Sequence, residues 1–180
     1  ILSTMDKHKK SFDNVLSTAK KLGYAEANPS ADLNGDDVSS KLKILSSLCF
    51  SSFLNNNIYV EGIKNIDRVD IDNANKLGYK IKLLGFAELL DNKIYQRVHP
   101  TLIKKESYVA SIDGVLNAVI VDGKPVGQST IQGEGAGPAA TTSALVSDIS
   151  SISRGNIKFP FSLSSKERKK LRFTDIEERF

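Results

Sequence analysis

Apolar residues recur at helical spacing through the first 22 positions, with Leu2, Met5, Phe12, Leu16, Ala19 and Leu22 falling near one face. The pattern predicts an amphipathic helix, ended by Gly23 in the left-handed region. A polar stretch runs on to Gly35, with Pro29 and the Asn34-Gly35 pair as breakers. Asp36 and Asp37 then open a second helix, because negative charge suits the positive end of the helix dipole. Val38, Leu42, Leu45, Leu48 and Phe53 carry its apolar face to about Leu54.

Beyond that helix the period changes. Ile58 to Ile63 (IYVEGI) is expected as a strand, and Val69 to Leu77 as a short helix stopped by Gly78. Lys80 to Leu90 and Lys93 to Val98 read as two strands joined at Asp91-Asn92, a hairpin turn, with His99-Pro100 ending the second. Leu116 to Val121 and Pro125 to Ile131 form another pair around Asp122-Gly123, a turn with positive-φ chemistry. Ala139 to Ile152 reads as a closing helix, and the polar stretch after it, with Pro160 and a serine cluster, as a linker. Helices flanking mostly hairpin-connected strands indicate an α+β fold, the helices packed on one face of a mostly antiparallel or mixed sheet.

Composition narrows the class. With 180 residues, 40% hydrophobic and 26% charged, the chain is suited to one globular domain with a proper core. It contains no unbroken apolar run of about 18 residues and no membrane partner is expected. The chain opens inside a helical pattern, which we take as the mark of a fragment. One cysteine, Cys49, excludes an internal disulfide and fits a reducing compartment, the cytoplasm by default. The net charge of +4 lies wholly in residues 154 to 180, which hold eight Lys/Arg against four Asp/Glu. The run KERKKLR from Lys166 to Arg172 lacks interleaved aromatics for base stacking, so a solvated face or linker is expected and nucleic acid is not.

The densest set of ionisable residues lies between Gly23 and Lys41. Glu26 and Asp32 sit in the loop; Asp37 and Lys41 are four apart on one helix face. Three carboxylates and one ammonium converging there would suit a small zwitterion, the carboxylates taking its α-ammonium group and the lysine an oxygen that gains or loses a proton. Spacing alone equally allows a surface salt bridge at Asp37–Lys41, worth about 0.3–0.5 kcal/mol, with Asp32 merely capping a turn. Elsewhere, Cys49 lies on an apolar helix stretch and reads as a core thiol, and His8 as an exposed residue. His99 is expected to support the backbone at a strand end. Arg97 could recognise a carboxylate or form a cross-strand salt bridge. Two histidines and one cysteine offer no metal-ligand spacing.

The run GYAEANPSADLNGDDVSSKLKIL, Gly23 to Leu45, resembles the homoserine dehydrogenase signature. VEGI (Val60 to Ile63), LGYKIKLLG (Leu77 to Gly85), RVHP (Arg97 to Pro100), NAVIV (Asn117 to Val121) and GEGAG (Gly133 to Gly137) keep that family's order, so the resemblance covers residues 1 to 154. It implies reversible hydride transfer between L-homoserine and L-aspartate 4-semialdehyde with NADP or NAD, in threonine and methionine biosynthesis, by a homodimer. Residues 1–153 would be the catalytic, substrate-binding and dimer-forming domain, and 154–180 a polar basic tail. Lys41 matches the catalytic lysine. Glu26 and Asp37 match homoserine-binding positions, with Asp32 in support and Tyr24 contributing through its backbone. Gly23 and Gly137 match glycines beside the nicotinamide nucleotide. The resemblance leaves open whether Lys41 takes the proton alone or through water or Asp37. Asn28 departs from the pattern, since many relatives have Asp before the proline.

No strand, GxGxxG and helix occur together in the first half, so the main dinucleotide fold is not expected there; the resemblance implies that this domain lies upstream, with a second active-site lysine and a sodium site. Pro138 stands where a GxGxxG reading of GEGAG needs its last glycine. A strand-to-helix turn is expected there, which the resemblance places beside the cofactor, its helix returning towards the nucleotide domain. A non-catalytic interaction module of the same fold is the alternative; intact Glu26, Asp37 and Lys41 speak against it.

Overall fold

The computed structural model describes residues 1–25, 27–52, 58–135 and 137–156, and the backbone of 172–173. In chain order the elements are α1 (Leu2–His8), α2 (Phe12–Lys21), α3 (Ser30–Asn34), α4 (Asp36–Cys49), β1 (Tyr59–Val60), α5 (Arg68–Lys76), β2 (Tyr79–Leu90), β3 (Lys93–Lys104), α6 (Tyr108–Ser111), β4 (Leu116–Gly123), β5 (Gly127–Glu134), α7 (Pro138–Ser153) and β6 (Arg172–Phe173). They form two compact units. The first takes Ile1–Ala27, Ile66–Lys82 and Leu102–Ile157; the second takes Asn28–Asn65, Leu83–Thr101 and Lys158–Phe180.

The expected first helix is two helices. Lys9 adopts a left-handed conformation (φ 53°) between them. No apolar residue falls between Met5 and Phe12, so nothing on the buried face opposes a break. The carbonyl freed at Lys9 accepts a hydrogen bond from the Arg68 guanidinium of α5, and the Asn75 amide donates to Asp6 at 2.6 Å. Met5, Val15, Ile71, Ala74 and Ala110 are the buried apolar residues of this unit, with Leu2. Full burial of a side chain of Met or Val size stabilises by roughly 1.5–3 kcal/mol.

Helix α5 starts where Asp67 accepts from the Asp70 N–H while Asp70 accepts from the Asp67 N–H, a reciprocal capping box. A second anchor in this unit is ionic. Asp113 takes Lys80 at 3.0 Å and Lys82 at 2.5 Å, and the same two ammonium groups donate to the carbonyls of Ala110 and Ile112. Lys80 and Lys82 share one face of β2, being two apart on a strand. The β4–β5 ribbon is a separate antiparallel sheet. Its turn falls later than expected, over residues 124–126, and the positive φ belongs to Gly127, not Gly123.

The second unit holds a sheet of order β1-β3-β2, with β6 also paired to β3. Strands β2 and β3 turn at Asp91-Asn92, both with positive φ as a tight two-residue hairpin requires. Tyr59 and Val60 run parallel to Arg97 and Val98. The Glu61 N–H then bonds to the Val98 carbonyl, and the β1 pairing stops. Past that point a missing N–H costs the ladder nothing on that side, so β3 continues through Pro100 to Lys104 instead of ending at His99-Pro100. Among the described residues, Leu33, Leu42, Ile63, Ile94 and Val98 are this unit's buried apolar residues. The α+β class stands, with helices beside a mixed sheet. Helix α4 ends at Cys49, short of its expected course to about Leu54, because the chain turns at Phe50 and Ser51, the latter with φ 52°; Phe53 and Leu54 lie outside the described residues.

Candidate active site

The corner between α3 and α4 carries the charged cluster, and glycine builds it. Gly35 joins the helices with φ 89°, a conformation that L side chains rarely adopt. A Cβ there would also press on Val60 and Val98, at 3.0 and 3.3 Å. Gly62 receives the corner from the other side. A Cβ on Gly62 would overlap the Leu33 carbonyl oxygen and stand 2.6 Å from the Asn34 Cα. That close approach lets the Ile63 N–H reach the Leu33 carbonyl at 2.8 Å. The start of α4 is thereby fixed against the sheet.

On this fixed start, Asp37 and Lys41 meet. The Lys41 ammonium donates to Asp37 Oδ2 at 2.7 Å, with side-chain exposures of 59% and 41%. The pair faces solvent and is open to a small polar molecule. Its electrostatic stabilisation of the fold is small, because water screens exposed pairs. Asp32 is exposed in α3. Asn28, the residue that departs from the family pattern, serves the local fold. Its carboxamide oxygen accepts from the N–H and hydroxyl of Ser30, starting α3. Glu26 lies outside the described residues.

Gly23 and Tyr24 belong to the first unit. The Gly23 N–H bonds to the Lys20 carbonyl and that of Tyr24 to the Ala19 carbonyl, the paired bonds that close a helix with Gly23 at φ 75°. Tyr24 thus has its N–H engaged; its carbonyl and a side chain 52% exposed remain. Gly137 precedes α7 with φ 111° and ψ 156°, and Pro138 opens the helix. A side chain at Gly23 or Gly137 would meet no atom within 4 Å, so both leave backbone open to a flat ligand.

Several expectations fall differently. Cys49 is exposed, at the last residue of α4, and is not a core thiol. The buried face of α4 instead runs through Ser39, Leu42 and Ser46. Arg97 makes no salt bridge among the described residues; its guanidinium lies 5.4 Å from the Phe86 ring centroid, and that ring stacks on His99. His99 Nδ1 stands 2.9 Å from the Pro100 carbonyl, in keeping with its expected backbone role. Among the described residues no cluster of His, Cys, Asp or Glu could hold a metal, and no helix is long and apolar enough to cross a membrane.

Spacing did not single out Gly62, whose role depends on a tertiary approach. The Lys80–Lys82 pair did carry a signal, two lysines on one strand face needing a shared acid.

A family model for homoserine dehydrogenase matches residues 1–150. Homoserine dehydrogenase of Neisseria gonorrhoeae is 45% identical over 155 residues, covering 86% of this chain and 36% of that protein. The Synechocystis enzyme is 46% identical over 157 residues, covering 84% and 36%. The crystal structure of a homoserine dehydrogenase from Thiobacillus denitrificans superposes with a TM-score of 0.86 at 39% identity, over 96% of this chain and 42% of that one. This chain thus spans about a third of the length of the curated relatives it matches. On the strength of the matched residues and the shared fold, the chain belongs to the homoserine dehydrogenase family of oxidoreductases.

Proposed function

We propose that this chain is the substrate-binding and catalytic part of a homoserine dehydrogenase, which interconverts L-homoserine and L-aspartate 4-semialdehyde reversibly with NADP or NAD. The observation that carries this reading is the exposed Asp37–Lys41 pair, set on a corner that Gly35 and Gly62 lock to the sheet. A surface salt bridge needs no such foundation. A group that must meet a substrate oxygen does.

The nicotinamide supplies or takes the hydride. What remains for this chain is one proton and the placement of the substrate. Lys41 serves the side-chain oxygen, giving a proton as the ammonium when the aldehyde is reduced and, as the neutral amine, receiving one, directly or through Asp37 or water, when the alcohol is oxidised. Asp37 holds the ammonium in position. Asp37, Asp32 and Glu26 are the carboxylates assigned to the substrate's α-ammonium group, and Tyr24 is assigned a contribution through its backbone. The open backbone at Gly23 and Gly137 fits the approach of a nicotinamide ring, and the remaining hold on the nucleotide belongs to a domain outside this chain.

Residues 1–153 act in this reading as the catalytic and dimer-forming domain and 154–180 as a basic linker. Helix α7 returns towards the nucleotide domain. The protein works in the cytoplasm as a homodimer, in the synthesis of threonine and methionine. The test uses the full-length protein with NADP and L-homoserine, following NADPH formation. Turnover is expected with homoserine, and far less with the same alcohol lacking its amino group, because the carboxylates lose their partner. A protein that binds NADP but leaves homoserine untouched contradicts the assignment.

A further inference from the structure

Strand β2 carries a single glycine, Gly85, and α4 lies over it. Gly85 is exposed as a residue, yet the direction its Cβ would take faces the helix. A Cβ there would stand 3.2 Å from Val38 Cγ1 and 3.4 Å from both methyl carbons of Leu42. The Gly85 backbone is not among the left-handed ones, so glycine at this position answers to its neighbours and not to its own conformation. Val38 and Leu42 are one turn apart on α4, and Asp37 and Lys41 each precede one of them. The turn of helix that rests on Gly85 is therefore the turn that presents the Asp37–Lys41 pair.

This contact does not yield easily. Val38 is β-branched, and such a side chain in a helix is held to one strongly preferred rotamer. Leu42 is buried and flanks the same spot with both of its branches. A methyl at 85 is thus accommodated by moving α4 off β2 by a few tenths of an ångström. We propose that Gly85 is a positioning residue for the reaction: its bare Cα sets how deep α4 sits on β2, and so where Lys41 meets the substrate oxygen. This rests on the reading of Lys41 as the group that serves that oxygen. Gly35 and Gly62 hold the start of α4, whereas Gly85 sets the depth of its first turns. Rate falls steeply with such displacements, a misplacement of about 1 Å costing on the order of 10²-fold.

In the full-length enzyme Gly85→Ala is expected to lower kcat for homoserine oxidation by about three- to tenfold, the share of that loss carried by a few tenths of an ångström. The KM for NADP and the melting temperature should stay close to the wild type, since the three atoms nearest the added methyl all belong to side chains. The same substitution in a Val38→Ala background should cost little, because the tight contact is already gone and the effects of touching residues are coupled. An unchanged kcat in Gly85→Ala, a loss of the same size in both backgrounds, or a single variant that does not fold overturns the proposal while the enzyme assignment stands. Undiminished kcat in Lys41→Ala overturns the reading beneath it, and a wild type that leaves homoserine untouched overturns the assignment itself.

Discussion

A methyl group at position 62 would fall on the carbonyl oxygen of Leu33, an atom fixed by its own hydrogen bond from the Ile63 N–H. Overpacking typically costs roughly 1–3 kcal/mol, and here backbone, not a mobile side chain, stands in the way. Gly62→Ala is expected at or above the top of that range. Gly78 provides the contrast: its φ is 83°, but a Cβ there meets nothing within 4 Å. Gly78→Ala should cost only the left-handed conformation, about 1–2 kcal/mol. Denaturant unfolding of both variants in the full-length protein checks the order, and equal losses would contradict the close approach. At this scale the sequence marks where glycines stand but not why. Gly23 and Gly78 are legible as helix stops from the pattern around them; Gly62 and Gly85 depend on residues far along the chain.

At the scale of elements, a reciprocal polar cap sets the start of α5. The Asp67–Asp70 box predicts that Asp67→Ala costs about 0.5–2 kcal/mol, seen as a lower unfolding midpoint. The start of β2 depends on Asp113. Partial burial works against its charge, but the hydrogen bonds and positive charges of Lys82 and Lys80 outweigh that and hold its carboxyl below the ordinary range. A carboxyl lowered on folding contributes stability above its unfolded pKa, and that contribution fades as pH falls through the folded value. Asp113→Asn should therefore lower the melting temperature at neutral pH and make little difference in strong acid. A loss of equal size at both pH values would contradict the ionic anchor. Most elements were legible in the period of apolar residues. Among the boundaries that were not are the break at Lys9, the continuation of β3 through Pro100, and the short helix α3. Each is decided by a partner distant in sequence or by a local side-chain bond such as Asn28 to Ser30.

At the scale of the molecule, apolar side chains remain uncovered by the described residues. Leu145 and Ile149 of α7 are 58% and 65% exposed, and Val126 and Ile131 of the ribbon are more exposed still. A soluble domain seldom leaves such surface bare. With the chain spanning about a third of its relatives' length, cover from the rest of the protein and from a second subunit is the reading we propose. The full-length protein should sediment as a dimer at micromolar concentration; a monomer there would contradict the assembly. The candidate site was legible as a family run, Gly23 to Leu45, and the pair joined among its described residues, Asp37–Lys41, follows from helical spacing. The sequence could not reveal the foundation beneath that pair, which Gly35 and Gly62 provide.

That pair carries the functional account, and Lys41→Ala in the full-length enzyme tests it most directly. Removing a general acid or base typically costs about 10²–10⁴-fold in rate, so kcat for homoserine oxidation should fall by at least about 10²-fold. The fold, the dimer and NADP binding should be retained. A variant that keeps its kcat would reduce Asp37–Lys41 to a surface salt bridge and contradict the account.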